Sequence, residues 1–333
     1  MRAPRLALAL LGRAARGLAE RRALDAFYRR RLNILCYHGV RDGDDRVRRI
    51  FVAERPERLR ADLARLARIF DFVPLDTLLS GPPPAAAGRP RLAVTFDDGL
   101  ALGDGALLDI LGEFAVRATM LVATAAIGNP DLLWQHKLAA IAAARGERFV
   151  AAFNRLVART GSGRPILRPD RHTRAAWLWP AARKEELADQ LWRDCAMPPV
   201  AELLQAWRPY AGWAELDRWV AAGHRIGSHS RSHPNCAALG DAEIESEIVA
   251  PAALLCERFG YAAVPFAYPF GQRLPPAREA ALADCRVLSC LLGTDGLSPW
   301  GTPPHRLERA ETAPGLPIGL FARPLLSAAL RPA

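Results

Sequence analysis

Lysine is almost absent from this chain of 333 residues. Only Lys137 and Lys184 occur, and arginine supplies nearly all of the positive charge behind a net charge of +10. An excess of basic residues can indicate that a protein binds nucleic acid, an anionic membrane surface or an acidic substrate. The arginines are dispersed except in the first 31 residues, and the sequence lacks RNA-binding signatures, a basic zipper region and paired zinc fingers. We therefore predict no nucleic-acid partner.

Cys-x-x-Cys pairs are also missing, although the chain has six cysteines. A chain of this length can bury a sizeable core and needs no disulfide framework. We expect free, mostly buried thiols in a reducing compartment. The sequence also lacks the run of ~20 apolar residues that a membrane span requires.

Residues 1–30 are predicted to form a basic N-terminal helix. Their apolar run over 6–11 is short and Arg13 follows it closely, which is not the pattern of a secretory signal. We predict a cytoplasmic protein, and this helix could contact the inner membrane surface peripherally. A docking helix or a frayed terminus is the alternative, and export stays open.

Buried strands alternate with helices along 31–130 and again along 208–310, which indicates a parallel α/β sheet or barrel. The predicted strands cover 32–37, 91–96, 118–124, 224–228 and 265–268. The predicted helices cover 56–70, 104–114, 213–222 and 241–259. Residues 311–333 are predicted to be a C-terminal tail.

Residues 131–207 interrupt this alternation of strands and helices, and we predict that they form a helical insertion. They contain five of the eight tryptophans, at positions 134, 177, 179, 192 and 207. Tryptophans could provide a surface on which sugars stack, but aromatic residues at helical spacing are more often part of a core. We favour the core interpretation.

Two polar motifs follow predicted strands: Thr95-Phe96-Asp97-Asp98-Gly99 and His229-Ser230-Arg231-Ser232-His233-Pro234. Open α/β and barrel enzymes build their active sites at the carboxyl ends of strands. Histidines at i and i+4 lie one helical turn apart and can point at one ion. With one carboxylate they give three protein ligands and leave a position open for water, which is typical of catalytic metal sites.

The second carboxylate of the first motif can act as a general base on that water. Zinc in such a site lowers the pKa of bound water to about 7. The residues alone do not decide which aspartate binds the metal and which is the base. The alternative is that Asp97 to Gly99 form a turn and the histidines lie in a surface loop.

Both motifs resemble those of the polysaccharide deacetylases, the NodB-homology domains of carbohydrate esterase family four. Tyr37-His38 matches a Tyr-His pair on an early strand of many members, and the segment 266–271 (FAYPFG) resembles a form of the third family motif. The resemblance covers about 31–130 and 208–310. It implies a distorted (β/α) barrel of the NodB type with fewer than eight regular strands, here with a helical insertion.

The resemblance further implies metal-dependent hydrolysis of an N-acetyl group on an amino sugar of a polysaccharide or glycan precursor. Asp97 would be the base, and Asp98, His229 and His233 would hold Zn²⁺ or another divalent metal such as Co²⁺. Metal-activated water would attack the acetamide. The oxyanion would lie near Tyr268, Pro269 and Phe270, at a backbone N–H. The alternative is a deformylase or another hydrolase of non-peptide C–N bonds, acting on a lipid-linked sugar or small molecule.

Two family features are missing. The third motif lacks the arginine that orients the base, and we assign that role to Arg306. No Leu-x-His triplet follows residue 271 to supply the general acid, so His305 is our first candidate and His38 its rival. We interpret His136, His172 and His224 as non-catalytic.

Overall fold

The structure, a computed structural model, describes residues 22–82 and 88–312. Most of the predicted N-terminal helix (1–30) and of the predicted tail (311–333) therefore lies outside the described residues. Within those residues, no helix combines the length and the apolar character needed to cross a membrane. All six cysteines are free and five of them are buried, as expected.

Within residues 22–82 and 88–312, ten strands form one sheet. In chain order they are β1 Arg31–Tyr37, β2 Asp71–Phe72, β3 Arg91–Phe96, β4 Thr119–Val122, β5 Arg225–Ser228, β6 Val264–Ala267, β7 Leu288–Gly293, β8 Ser298–Pro299, β9 Leu307–Glu308 and β10 Ala310–Glu311. Eight of them are neighbours in the order β10-β1-β3-β4-β5-β6-β7-β9, and every pair along this path is parallel. Off this path, β2 pairs in parallel with β3, and β8 pairs antiparallel with β1.

The sheet is a nearly closed barrel because β9 and β10, its two end strands, are separated in the chain by Arg309 alone. β9 pairs with β7 and β10 pairs with β1, so one short segment joins the two edges of the sheet. This confirms the predicted distorted barrel. Of the eight strands on the path, six are longer than two residues, in accord with fewer than eight regular strands.

Helices cover the sheet and fill the segment 131–207. They are α1 over 22–29, α2 Asp45–Ile50, α3 Pro56–Leu66, α4 Leu75–Leu79, α5 Ala106–Glu113, α6 Trp134–Arg145, α7 Glu147–Thr160, α8 His172–Ala176, α9 Lys184–Asp194, α10 Val200–Trp207, α11 Trp213–Ala221, α12 Asp241–Ile244, α13 Ala250–Phe259 and α14 Pro276–Ala283. Short 3₁₀ turns are Thr124–Ala126, Pro169–Arg171, Cys236–Ala238, Pro269–Gly271 and Pro304–Arg306. A π-helical turn, Glu245–Val249, separates α12 from α13.

Alternate residues of the strands face different cores, as strand geometry requires. Leu35, Val94 and Met120 belong to the cluster that packs against the surrounding helices. Their neighbours Ile34 and Ala93 belong to a second cluster together with α4. Both faces are therefore apolar, which is the usual state of parallel strands.

Helices α6 to α10 and α2 share a core of their own. Trp134, Trp179 and Trp192 are buried in it, while Trp177 and Trp207 are half-buried at its edge. The core interpretation of these tryptophans is therefore the one that the structure favours.

Several elements differ from the sequence predictions. The helix predicted over 56–70 ends at Leu66, and the π-helical turn interrupts the one predicted over 241–259. Helices α2, α4 and α14 and strands β2 and β7 to β10 were not predicted. Most of them are shorter than the window in which apolar periodicity can be recognised.

Candidate active site

The chain turns sharply after β3 and sends the two aspartates in different directions. The Asp97 N–H donates to the Tyr37 carbonyl at 2.9 Å, which extends the pairing of β1 with β3 by one residue. Asp98 and Gly99 then both have left-handed backbones, with φ values of 67° and 71°. A Cβ at Gly99 would lie 2.9 Å from Val122 Cγ1, so both the backbone and the space require glycine here.

Asp97 is held by a fully buried arginine. Arg309 Nη1 donates to Asp97 Oδ1 at 2.7 Å and Nη2 donates to Oδ2 at 2.8 Å. The Cys36 thiol lies 3.3 Å from the same Oδ2 as a weak donor. Burial alone would raise the pKa of Asp97, but the charges of Arg309 and His229 lower it to about 2. Asp97 is therefore an ionised carboxylate at neutral pH.

The prediction that Arg306 orients the base is wrong. Arg306 is exposed, and its Nε lies 3.9 Å from Glu279 Oε2. Arg309 contacts Asp97 instead, because it is the residue between β9 and β10, at the point where the chain passes from one edge of the sheet to the other. Its side chain has no exposed surface, and Nη1 also donates to Thr95 Oγ1 at 3.0 Å.

Asp98 faces imidazoles instead of an arginine. Its Oδ1 lies 3.1 Å from His233 Nε2 and 3.6 Å from His229 Nε2. One ligand atom from each of the three residues lies within 4.8 Å of the others, and all three residues are buried. The structure therefore brings together the three residues that the sequence analysis proposed as metal ligands.

The atoms of this cluster fit a divalent cation. Asp98 Oδ1 is buried and accepts no hydrogen bond from the residues that the structure describes. His229 Nδ1 lies 2.9 Å from the Ala267 carbonyl, which can only accept. Its hydrogen therefore sits on Nδ1, and Nε2 presents a lone pair towards Asp98. One carboxylate and two imidazoles are a ligand set suited to zinc and similar transition metals.

The acid–base states of the cluster also suit a cation. Burial lowers the pKa of His229 to about 4, so this imidazole is neutral at pH 7. Burial raises the pKa of Asp98, but His233 and His136 oppose it and hold that pKa well below its usual range. Metal ligands must be deprotonated in this way.

His229 and His233 do not lie on a helix, although the i, i+4 spacing is that of one helical turn. Residues 229–233 form an irregular loop after β5. Ser230 and His233 have positive φ values of 67° and 59°, and the His233 N–H donates to Ser230 Oγ at 2.9 Å. This tight loop, and not a helical turn, brings the two rings to centroids 4.8 Å apart.

The loop is anchored from two sides. Glu247, in the π-helical turn, accepts from the Ser232 N–H at 2.9 Å and from its hydroxyl at 2.5 Å. Lys184 of α9 donates to Ser232 Oγ at 2.7 Å. Trp134 Nε1 of α6 donates to the His233 carbonyl at 2.8 Å. The helical segment therefore takes part in shaping the loop that carries His229 and His233.

Sequence reasoning missed a third imidazole that faces Asp98. His136 of α6 is buried, and its Nε2 lies 3.5 Å from Asp98 Oδ2. Its Nδ1 lies 2.6 Å from the Tyr210 hydroxyl. The available signal was weak, because consecutive polar residues in a helix normally include one that faces solvent. Here Gln135, His136 and Lys137 are all buried.

A cavity of about 270 Å³ opens onto both aspartates. Residues that line it include His38, Gln135 and His172. His38 Nδ1 is buried and has no hydrogen-bond partner among the described residues. His305, our first candidate for the general acid, does not line this cavity. It lies in the 3₁₀ turn before β9, where its carbonyl accepts from Arg273 at 2.7 Å.

The predicted oxyanion segment reaches the same cavity. Tyr268 and Phe270 line it, whereas Pro269 is buried beside them. Phe270 has a left-handed backbone with φ 57°, which is uncommon for a non-glycine residue. Its ring meets the His233 ring edge-on at 4.5 Å. Strained residues of this kind cluster at functional sites.

Comparison with known proteins agrees with this geometry. The sequence model of one family, polysaccharide deacetylase, matches residues 175–284, which contain the second motif. The fold resembles that of the Streptococcus pyogenes deacetylase PplD in complex with acetate, with a TM-score of 0.54 and 13% identity over 91% of this chain and 99% of that chain. It also resembles BA0330 of Bacillus anthracis, proposed to be a polysaccharide deacetylase, with a TM-score of 0.54 and 12% identity over 87% and 67% of the two chains. No curated protein matches the sequence.

At these identities the structural likeness bears on the fold alone. Together with the family match, it shows an α/β barrel of the NodB deacetylase type. The match to the polysaccharide deacetylase family itself covers residues 175–284, about a third of the chain.

Proposed function

We propose that this protein removes an N-acetyl group from an amino sugar of a polysaccharide or glycan precursor, with a divalent metal held by Asp98, His229 and His233. The observation that carries the proposal is the convergence of three buried side chains: ligand atoms of Asp98, His229 and His233 lie within 4.8 Å of one another, and Asp98 Oδ1 faces Nε2 of both histidines. Zinc is the metal that we expect, and cobalt is the natural substitute.

Such a cation, when bound, acts as a Lewis acid that polarises a carbonyl and acidifies water. The residues of the chain supply the rest. Asp97 Oδ2 lies 3.8 Å from His229 Nε2, so the carboxylate borders the space between the ligand histidines and the cavity. In this position Asp97 accepts a hydrogen bond from the attacking water, orients it and takes its proton as the C–O bond forms.

Arg309 divides the two aspartates functionally. The two charged hydrogen bonds from its guanidinium fix the plane of the Asp97 carboxylate and keep it ionised. A carboxylate with so low a pKa is a weak base in its resting state. Its main contribution is therefore orientation, and proton transfer occurs only when the water has become acidic.

We propose His38 as the group that protonates the departing amine. It lines the cavity together with Asp97, and its buried Nδ1 has no partner among the described residues. The Phe270 N–H is our candidate donor to the developing oxyanion. Gln135 adds a recognition element, because neither atom of its buried amide finds a partner in the described structure and it lines the cavity. An amide or hydroxyl of an amino sugar would satisfy both atoms.

The test is a release assay on protein stripped with a chelator and then reloaded with Zn²⁺ or Co²⁺. The substrates are N-acetylated oligosaccharides, N-acetylated lipid-linked sugars and their N-formyl counterparts. We expect metal-dependent release of acetate. Release of formate alone would instead favour a deformylase. Full activity of the stripped protein would refute the metal-dependent mechanism.

A further inference from the structure

We propose that His136, contributed by the helical segment 131–207, is a positioning residue of the metal centre: its Nε2–H holds Oδ2 of Asp98, so that Oδ1 stays turned towards His229 and His233. This inference rests on the metal site of the proposed function. It adds to that site a residue that lies on a helix outside the two motifs.

A chain of contacts fixes which nitrogen of His136 carries the hydrogen. The Leu133 N–H donates to the Tyr210 hydroxyl at 3.0 Å, and that hydroxyl lies 2.6 Å from His136 Nδ1. The opposite nitrogen, Nε2, faces a carboxylate oxygen, which can only accept. Tyr210 therefore donates its hydrogen to Nδ1, and Nε2 carries the hydrogen that points to Asp98.

The same tautomer argues against His136 as a third imidazole ligand. A nitrogen that carries a hydrogen has no lone pair for a metal, and the lone pair of Nδ1 is occupied by the Tyr210 hydroxyl. His136 also faces Oδ2 of Asp98, whereas both ligand histidines face Oδ1. The two oxygens of one carboxylate are thus divided between the cation and the helical segment.

The separation of 3.5 Å between Nε2 and Oδ2 is at the outer limit of a hydrogen bond. The surroundings allow little freedom for either group. His136, Tyr210 and Asp98 are each less than 5% exposed, and the Phe51 ring packs edge-on against His136 at 4.8 Å. Among the described residues, Asp98 Oδ2 is the acceptor that His136 Nε2–H faces. The packing around both side chains therefore holds the two groups together.

The position of His136 is set by tertiary structure. It lies in the first turn of α6, beside Trp134, whose indole holds the His233 carbonyl. One helix end therefore contacts both the carboxylate ligand and the histidine loop. Carboxylates that ligate metals are commonly held by such outer partners, and loss of a partner weakens metal binding.

The experiment measures metal affinity and does not need a substrate. Zn²⁺ binding to the full chain is measured by competition with a chromophoric chelator for wild type, His136→Ala, His136→Gln, Tyr210→Phe and His172→Gln. His172 is the matched control, since it is a buried histidine from the same segment that lines the same cavity. It lies 2.6 Å from the Pro169 carbonyl instead of contacting Asp98. Thermal unfolding without metal verifies that each variant is folded.

We expect His136→Ala to weaken Zn²⁺ binding about 10- to 100-fold. His136→Gln should restore most of the affinity, because its amide nitrogen reaches the position of Nε2. Tyr210→Phe should give a smaller loss, and His172→Gln should bind as wild type does. X-ray absorption of the zinc-loaded proteins should show two imidazole ligands in both wild type and His136→Gln.

The outcomes separate this inference from the proposed function. Wild-type affinity in a folded His136→Ala protein would refute the positioning role while leaving the metal site intact. Three imidazoles in wild type that fall to two in His136→Gln would make His136 a ligand and also refute it. If wild type itself bound no divalent metal, the proposed function would fail first, and the inference with it.

Discussion

Asp97 and Asp98 are neighbours in the chain, yet their surroundings are opposite. Asp97 lies against a buried guanidinium that donates to both of its oxygens, so its charge is balanced within the protein. Asp98 faces three imidazoles, and its Oδ1 has no donor among the described residues. A guanidinium therefore balances the charge of Asp97, whereas the groups that face Asp98 are imidazoles.

The difference shows how one dipeptide can perform two tasks. A left-handed backbone at Asp98 turns the second carboxylate away from the first. The barrel closure then brings Arg309 to one side, and the loop after β5 brings the imidazoles of His229 and His233 to the other. Each carboxylate is ionised for a different reason: Asp97 because of the Arg309 guanidinium and His229, and Asp98 because His233 and His136 lower its pKa.

The largest expected effect is the loss of turnover when Asp97 and His229 are substituted separately. Asp97→Asn and His229→Ala should each lower turnover by about 10²- to 10⁴-fold, because one loses the proton acceptor and the other a metal ligand. Only His229→Ala should lose Zn²⁺ readily. Acetate release, together with metal content after dialysis, measures both quantities. Equal metal loss in the two variants would abolish the division between the aspartates.

The second effect concerns the buried ion pair of Asp97 and Arg309. Arg309→Met leaves a buried carboxylate unpaired and should destabilise the protein by about 3–5 kcal/mol. The double variant Arg309→Met with Asp97→Leu removes both charges and should regain much of that loss. Urea unfolding measures both. A double variant no more stable than the single one would show that the pair is not an electrostatic unit.

The third effect decides between the two candidate acids. His38→Gln should lower turnover by about 100-fold, at the lower end of the range for loss of a general acid. His305→Gln should leave turnover nearly unchanged, because His305 does not line the cavity. Neither change should affect Zn²⁺ binding, since neither residue belongs to the ligand cluster. A large loss in His305→Gln alone would return the role to our first candidate.

Sequence reasoning found the parts of the site that follow long apolar strands. Asp97 and Asp98 directly follow β3, and His229 directly follows β5, with His233 four residues further on. The carboxyl ends of parallel strands lie at one edge of the sheet, so convergence of these residues was predictable. Their geometry in detail was not, because positive φ values at Ser230 and His233, rather than a helix, aim the two imidazoles.

Arg309 and His136 were missed for physical reasons. Arg309 lies between two strands of two residues each, which are too short to show periodicity, and its place depends on closure of the sheet. Helix α5, strand β4 and a 3₁₀ turn separate His136 from Asp98 in the chain, and His136 reaches Asp98 only because α6 packs across the site. Contacts that depend on how distant elements dock leave little local signal in a sequence.

The smallest expected effect compares His224 with His229, which stand at the two ends of β5. Burial lowers the pKa of both to about 4, but His224 serves the fold alone: its Nδ1 accepts from the Ala118 N–H at 3.1 Å and its ring stacks on Trp219. Between the ordinary histidine pKa of about 6.5 and pH 4, only the unfolded chain binds a proton at this position, so stability falls as the pH falls. His224 should therefore lower the free energy of unfolding by about 2 kcal/mol as the pH falls from 6.5 to 4.5.

The variant His224→Asn tests this. It keeps a hydrogen-bond acceptor near the position of Nδ1 but does not titrate, so its free energy of unfolding in urea should depend less on pH over that range. Identical pH dependence in the two proteins would show that the fold tolerates a charged His224, and the acid sensitivity would then belong to the site histidines.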